Sequence, residues 1–386
     1  MNVPRPAESA LRRVLTGSAD LFRGDDYPRR LAEAAAGSQL PVTTGRRIAV
    51  VGSRGGAGRT TAAALLARIY AAMRADAVAA VDNAPESGTL GFRLGVPDAP
   101  SLEAVAARLD ADPPATLAQL AGLLAVAGPA NLLVTGRRSP HARAGAGVGI
   151  SVAGNTAAGT TAPAWTPAGP LARNLSGGQD DGGVFDGVSS GAPGISSRGV
   201  SEGTGPVPTD AAASLLSRTV SRYCPITVFD CGAGLRAPAA RWALESSHLA
   251  LFVTPASAAG VADAVEYSAG WHLDPLLGSV PLLVLVVQCT RDGALSASRQ
   301  AAGLRRAGID AAHVSYDRHL AAGTAVSPAL LARRTRLEAV SLTSRVLSVA
   351  VSGPGPGPRR SGSAGSAGSA GAAGSAGSAQ ARRTPA

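Results

Sequence analysis

The sequence predicts an α/β fold, a mostly parallel sheet with helices on both faces. Two observations carry this. Short apolar runs at residues 48–51, 78–81, 226–229, 249–253 and 282–287 are continuous rather than alternating, as strands buried on both faces require. Between them lie segments with helical character, which is the connection that parallel strands need. A third observation locates the ligand edge. Residues 46–61, RRIAVVGSRGGAGRTT, read as strand, glycine loop and helix start, while Asp82, Asp230 and Gln288 follow other strands at the same carboxyl edge. Open sheets of this class bind ligands there.

The elements follow in order. Residues 1–43 read as a polar N-terminal arm with a short helix near 9–16, and the strand–loop–helix unit runs to about residue 75. A second strand, 78–81, ends at Asp82. Ser101 opens a helix with Glu103 in its first turn, which favours the helix dipole. Residues 117–126 read as another helix and 131–135 as a third strand. After a low-complexity insert, a helix at 210–223 leads to strand 226–230, broken by Gly232 and Gly234. Helix 238–245, strand 249–254, helix 258–271, strand 282–287, helix 296–307 and a short strand at 313–315 continue the alternation. A helix over 328–351 ends it.

Of the 386 residues, many read as non-globular. Residues 140–208 are dominated by Gly, Ala, Ser, Thr and Pro, and 352–386 form a Gly/Ser/Ala-rich tail. Both are expected to be disordered, because they cannot bury enough apolar surface to offset chain entropy. What remains, within 44–351, is ample for one α/β domain. Cys224, Cys231 and Cys289 have no metal-ligand or disulfide-framework spacing and suit a reducing cytosol. The chain lacks a transmembrane-length apolar stretch and a signal-peptide core, so a cytoplasmic location is expected.

Basicity is distributed. The net charge is +10, and with no lysine present all 36 basic residues are arginine. They fall in small scattered groups, as on a solvated surface, without the aromatic interleaving of a single-strand binder or a helix-turn-helix pattern. The abundance of Ala, Gly and Arg without lysine fits a GC-rich genome.

The glycine loop is the strongest motif. Gly52, Gly55, Gly56 and Gly58 let backbone N–H groups converge on a phosphate, and Thr60 and Thr61 open a helix whose N-terminal dipole faces the same anion. The spacing does not fit the dinucleotide-binding G-x-G-x-x-G pattern. Residues 54–61, RGGAGRTT, resemble the deviant phosphate loop of the MinD/ParA group of P-loop ATPases, Lys-Gly-Gly-x-Gly-Lys-Thr-Thr. Within that group, TTGRRIAV, VFDCGAG and SYDRHLAAG are similar to MinD-like proteins of high-GC actinobacteria.

The resemblance implies a P-loop NTPase-like fold that binds ATP and Mg²⁺. It assigns Arg54, Gly55, Gly56, Ala57, Gly58, Arg59, Thr60 and Thr61 to the phosphates, with Thr60 and Asp230 holding the metal and its water shell. It puts Arg54 where the family's signature lysine reaches across a nucleotide-sandwich homodimer. Asp82 begins the first switch, Gly234 lies in the second, Gln288 stands where an adenine-contacting Asn is frequent, and 315–317 match a base-side segment. From the residues alone, Asp230 could instead cap a strand end, Gln288 could be an ordinary polar strand end, and Asp317 with Arg318 could be a turn. Cys231 reads as a small packed residue rather than a nucleophile.

Besides Arg54 in place of the signature lysine, two positions depart from the family pattern. Arg59 replaces the lysine that serves the β/γ-phosphates, putting a planar fork in place of a compact ammonium. Where the family's first switch reads Asp-x-Asp-Pro, this chain has Asp82-Asn83-Ala84-Pro85, so the water-orienting carboxylate is a methyl group. The expected function is therefore nucleotide binding with weak or lost hydrolysis, serving positioning, partitioning or secretion-associated assembly through a protein partner. The rivals are an active ATPase cycling between ATP dimer and ADP monomer, and a scaffold that binds no nucleotide. The tail has no apolar stripe for membrane targeting, and Arg333, Arg334 and Arg336 form the single cluster suited to nucleic acid.

Overall fold

The structure, a computed structural model, describes residues 26–84, 88–128, 131–136, 210–232 and 238–353. These belong to one compact unit, and the expected helix at 9–16, the insert at 140–208 and the tail from 354 lie outside the described residues. In chain order the elements are α1 (Tyr27–Ser38), β1 (Arg46–Val51), α2 (Arg59–Met73), β2 (Val78–Asp82), α3 (Leu90–Arg93), α4 (Leu102–Ala111), α5 (Leu117–Leu123), β3 (Ala125–Ala127) and β4 (Leu132–Val134). They continue with α6 (Asp210–Tyr223), β5 (Ile226–Asp230), α7 (Pro238–Glu245), β6 (Leu249–Pro255), α8 (Ala258–Trp271) and β7 (Leu282–Val287). The last are α9 (Ala297–Arg306), β8 (Ala311–Val314), α10 (Arg318–Ala321) and α11 (Arg333–Ser352).

Eight strands form one sheet in the order β3-β4-β2-β5-β1-β6-β7-β8, parallel throughout except for the β3–β4 pair. The continuous apolar runs do what two-sided burial demands. In β1, Ile48 and Val50 face one core and Ala49 and Val51 the other, all essentially inaccessible to water. The first core joins α2 and α11 to the sheet, and the second joins α4, α6, α7, α8 and α9. Burying a Leu, Ile or Phe side chain contributes about 1.5–3 kcal/mol, so these faces supply the main stabilisation. Phe229 on β5 adds an edge-to-face contact with Trp242 on α7, with ring centroids 5.8 Å apart. Helix α2, rich in Ala and Leu, is buried along most of its length, and its Tyr70 hydroxyl donates to the Thr343 carbonyl of α11 at 2.7 Å.

Three expectations change. Residues 117–126 are not one helix: α5 stops at Leu123, and Ala125–Ala127 pairs antiparallel with β4, Val126 opposite Leu133. The reason is non-local, because β4 presents backbone donors and acceptors that need partners. The terminal helix does not begin at Pro328; a 3₁₀ turn covers Pro328–Leu330, and Asp317 Oδ2 accepts the Ala332 N–H at 2.9 Å before α11 starts at Arg333. Residues 27–38 are not part of a free arm. Helix α1 lies on α11, its buried Ser38 hydroxyl 2.8 Å from Thr343 Oγ1, and its Leu31, Ala34 and Ala35 pack on the first core.

The cluster Arg333, Arg334 and Arg336 is engaged within the fold. Arg333 stacks over the Tyr27 ring at 4.0 Å, Arg334 pairs with Glu338 at 2.8 Å, and Arg336 donates to the Pro328, Ala329 and Leu331 carbonyls. No helix among the described residues is long and apolar enough to cross a membrane.

Candidate nucleotide site

The strand order brings the ends of β2, β5, β1 and β7 to one edge of the sheet, and the glycine loop stands at its middle. Close packing dictates Gly52, since a Cβ there would sit 2.4 Å from the Val253 carbonyl of β6. Gly56 and Gly58 adopt φ of +72° and +90°, which glycine tolerates at no steric cost. Gly58 is also the N-cap of α2, so the requirement there is conformational; a Cβ would meet Val287 only at an ordinary 3.5 Å. At Gly55 and Gly56 a Cβ would meet nothing, so the rim of the loop borders open space. The first N–H groups of α2, from Arg59, Thr60 and Thr61, have no carbonyl four residues back in the helix and stand at its positive end. That is an anion cradle.

The two loop arginines are occupied. Arg59 curls back so that Nη1 donates to the Gly52 and Arg54 carbonyls at 3.1 and 2.8 Å, turning loop acceptors away from the cradle. Burial lowers its pKa, opposed by the charge of Asp230, and it remains a cation. Arg54 grips Asp263 of α8 with two bonds of 2.6 and 2.9 Å, and Ser53 Oγ donates to the same carboxylate. The hydrogen bond to Asp263 raises the Arg54 pKa and, with the Ser53 bond, lowers that of Asp263. Nothing in the sequence signals this pair, which joins positions 209 residues apart.

On the β5 side, Asp230 is 1% exposed. Its Oδ1 accepts a long bond from the Gly232 N–H, 3.4 Å, while Oδ2 is buried without a hydrogen-bond partner. Burial pushes its pKa up, countered by Thr60, the Gly232 N–H and Arg59. An orphaned carboxylate oxygen beside a threonine hydroxyl is a hard-oxygen set that fits Mg²⁺, which takes one or two protein ligands and keeps several waters. No cluster of three or more His, Cys, Asp or Glu exists among the described residues, so a metal held by side chains alone is not built here.

Asp82 adjoins Asp230 across the β2–β5 pair, but its carboxylate works as a clamp. Oδ1 accepts from the Ala84 N–H and Oδ2 from the Leu90 N–H. Gly88 is required there, because a Cβ would fall 2.1 Å from the Asp82 oxygens. Ala84 faces the turn after β5: a Cβ on Gly232 would stand 2.9 Å from that of Ala84. Pro85 and Gly234 lie outside the described residues.

On the β7–β8 side a cavity of about 210 Å³ opens beside the loop. Gly56, Gly58, Thr61, Gln288, Ser315 and Asp317 all line it, so the structure brings the phosphate-loop and base-side candidates together. Gln288 is committed to its own loop, Oε1 accepting from the Ala297 N–H and Nε2 donating to the Thr290 carbonyl. Asp317 caps α10, taking the His319 and Leu320 N–H groups on Oδ1. Cys289, unflagged by the sequence, also lines the cavity, and burial raises its pKa. Cys231 is buried and its thiol pKa is pushed up, first by burial, which fits a packed residue and not a nucleophile.

No protein-family model matches the chain. No curated protein matches it either. Among solved structures, the chain is similar to a ParA family ATPase from Chlorobium tepidum, with 15% identity over 80% of this chain and 99% of that one, TM-score 0.49. It is also similar to the cell division ATPase MinD of Pyrococcus furiosus, 16% identical over 79% of this chain and 98% of that one, TM-score 0.45. A third is an ATP complex of a McdA variant from Cyanothece, 14% identical over 79% and 97%, TM-score 0.46. The chain's own strand order and register define its fold as α/β and P-loop NTPase-like.

Proposed function

We propose that this chain is a MinD/ParA-like nucleotide-binding protein that takes Mg-ATP on the Gly55–Thr61 loop and hydrolyses it slowly or not at all. The observation that carries the reading is Asp230 Oδ2, buried and unpartnered beside Thr60 at the end of a glycine loop shaped for an anion. An uncompensated carboxylate oxygen costs stability in the free protein, and a hydrated cation relieves that cost. When bound, Mg²⁺ would neutralise phosphate charge; Thr60 and Asp230 would hold it and its waters, and the N-terminal amides of α2 would orient the phosphates.

Ala84 supports the impaired side of the proposal, since its methyl can neither accept a hydrogen bond from water nor hold it in line. Arg54 would reach a second copy of the chain only after releasing Asp263. The reading carries with it a cytoplasmic setting, and a role in positioning, partitioning or secretion-associated assembly through dimerisation or a docked protein.

Calorimetric titration with ATP, with and without Mg²⁺, tests this. Affinity should be higher with Mg²⁺, and Thr60→Ala and Asp230→Ala should each abolish most of that difference. Absence of binding by the wild type would leave a scaffold, and equal affinity with and without Mg²⁺ would remove Asp230 from the site.

A further inference from the structure

Arg93 closes α3 and is 5% exposed, yet among the described residues no acidic side chain is bonded to it. Its guanidinium spends its bonds on neutral oxygens: Nη2 donates to Thr61 Oγ1 at 2.7 Å and to the Leu320 carbonyl at 3.1 Å, and Nη1 to the Thr324 carbonyl at 2.8 Å. Nε is buried without a partner. Burial alone lowers its pKa, with no neighbouring carboxylate to oppose it. A charge in such surroundings is costly and is usually neutralised by a counter-ion. Thr61 and Leu320, the two groups sharing Nη2, both line the cavity beside the glycine loop.

The hydroxyl chemistry gives the arrangement a direction. A guanidinium only donates, so Thr61 Oγ1 accepts from Arg93 and keeps its single O–H hydrogen for something else. Thr61 lines the cavity next to Gly56 and Gly58, where an anion would sit.

We propose that Arg93 is a positioning residue of the nucleotide site, which fixes the Thr61 hydroxyl as a donor toward a ligand phosphate and ties the wall at Leu320 to the phosphate loop. The inference rests on the nucleotide-binding reading above and deepens it. The buried cation then finds its counter-charge in the ligand, across one threonine. The Arg93 backbone is held as well, its carbonyl accepting the Val326 N–H at 2.8 Å.

A double-mutant cycle separates this from a merely structural role. Mg-ATP affinity is measured by calorimetry for the wild type, Arg93→Met, Thr61→Val and the double variant. Arg93→Met should weaken binding on the order of tenfold or more, the scale for losing a charge-assisted bond. The double variant should bind no more weakly than Thr61→Val alone, because Arg93 acts through that hydroxyl. Additive losses, or an Arg93→Met affinity equal to wild type, overturn the proposal while leaving nucleotide binding intact. No binding by the wild type overturns both readings together. If Arg93→Met does not fold, Arg93→Lys replaces it in the same cycle, and its loss must likewise vanish in the Thr61→Val background.

Discussion

In the proposed reading, Ala84 is the residue that separates turnover from mere binding. Its methyl faces Gly232, and its N–H is tied to Asp82, so the backbone places any side chain at this position against the turn after β5. On the proposal that the glycine loop, Thr60 and Asp230 hold a nucleotide, position 84 offers no carboxylate to orient water. Arg59 compounds the loss, because its fork is bonded back onto loop carbonyls. Wild-type ATP hydrolysis should therefore lie near background. Ala84→Asp combined with Arg59→Lys should raise it by about a hundredfold, the scale of one positioning or electrostatic group in phosphoryl transfer. Phosphate release by each single variant and the double variant checks this. Ready turnover by the wild type, unchanged by aspartate at 84, would promote the active-ATPase reading.

At the scale of elements, α1 is where sequence and structure part most. Its YPRRLAEAAAGS reads as a polar arm, and apart from Tyr27 and Leu31 its apolar residues are small. The contacts that hold it lie three hundred residues away on α11, at Val340 and Thr343, so no local pattern announces them. Gly37 is the tightest point: a Cβ there would come within 2.0 Å of Ser344 Oγ and 3.0 Å of Ser344 Cβ. Gly37→Val should lower stability by roughly 1–3 kcal/mol, the cost of overpacking a close helix contact. Chemical denaturation measures it, and an unchanged midpoint would mean that α1 does not sit on α11. Strand β3 was hidden for a related reason. Ala125–Ala127 has no strong propensity of its own and becomes a strand only because β4 lies beside it. By contrast the parallel strands were legible because two-sided burial writes a continuous apolar run. The glycine loop was legible because its chemistry is contiguous in sequence. Arg93 and Asp263 were not, since their partners come from other elements.

For the whole molecule, the open question is how much of the chain the nucleotide site needs. The described residues stop after β4 at Gly136 and resume at Asp210, where α6 begins, and residues 140–208 lie outside them. That insert is dominated by Gly, Ala, Ser, Thr and Pro, and the tail by Gly, Ser and Ala. The site itself is assembled by β1, β2, β5 and β7 with the loop after β8, none of which includes the insert. We propose that the insert is a dispensable tether or docking segment and that the sheet is the nucleotide-binding core. Limited proteolysis should cut within 140–208 and within the tail first, leaving two core fragments that stay associated. Parallel strands from both fragments interleave in the sheet, β2 and β1 flanking β5, so association needs no covalent link. The nicked protein should bind Mg-ATP with the affinity of the intact chain. Protection of the insert from protease, or loss of binding on nicking, would show instead that this segment folds as part of the site.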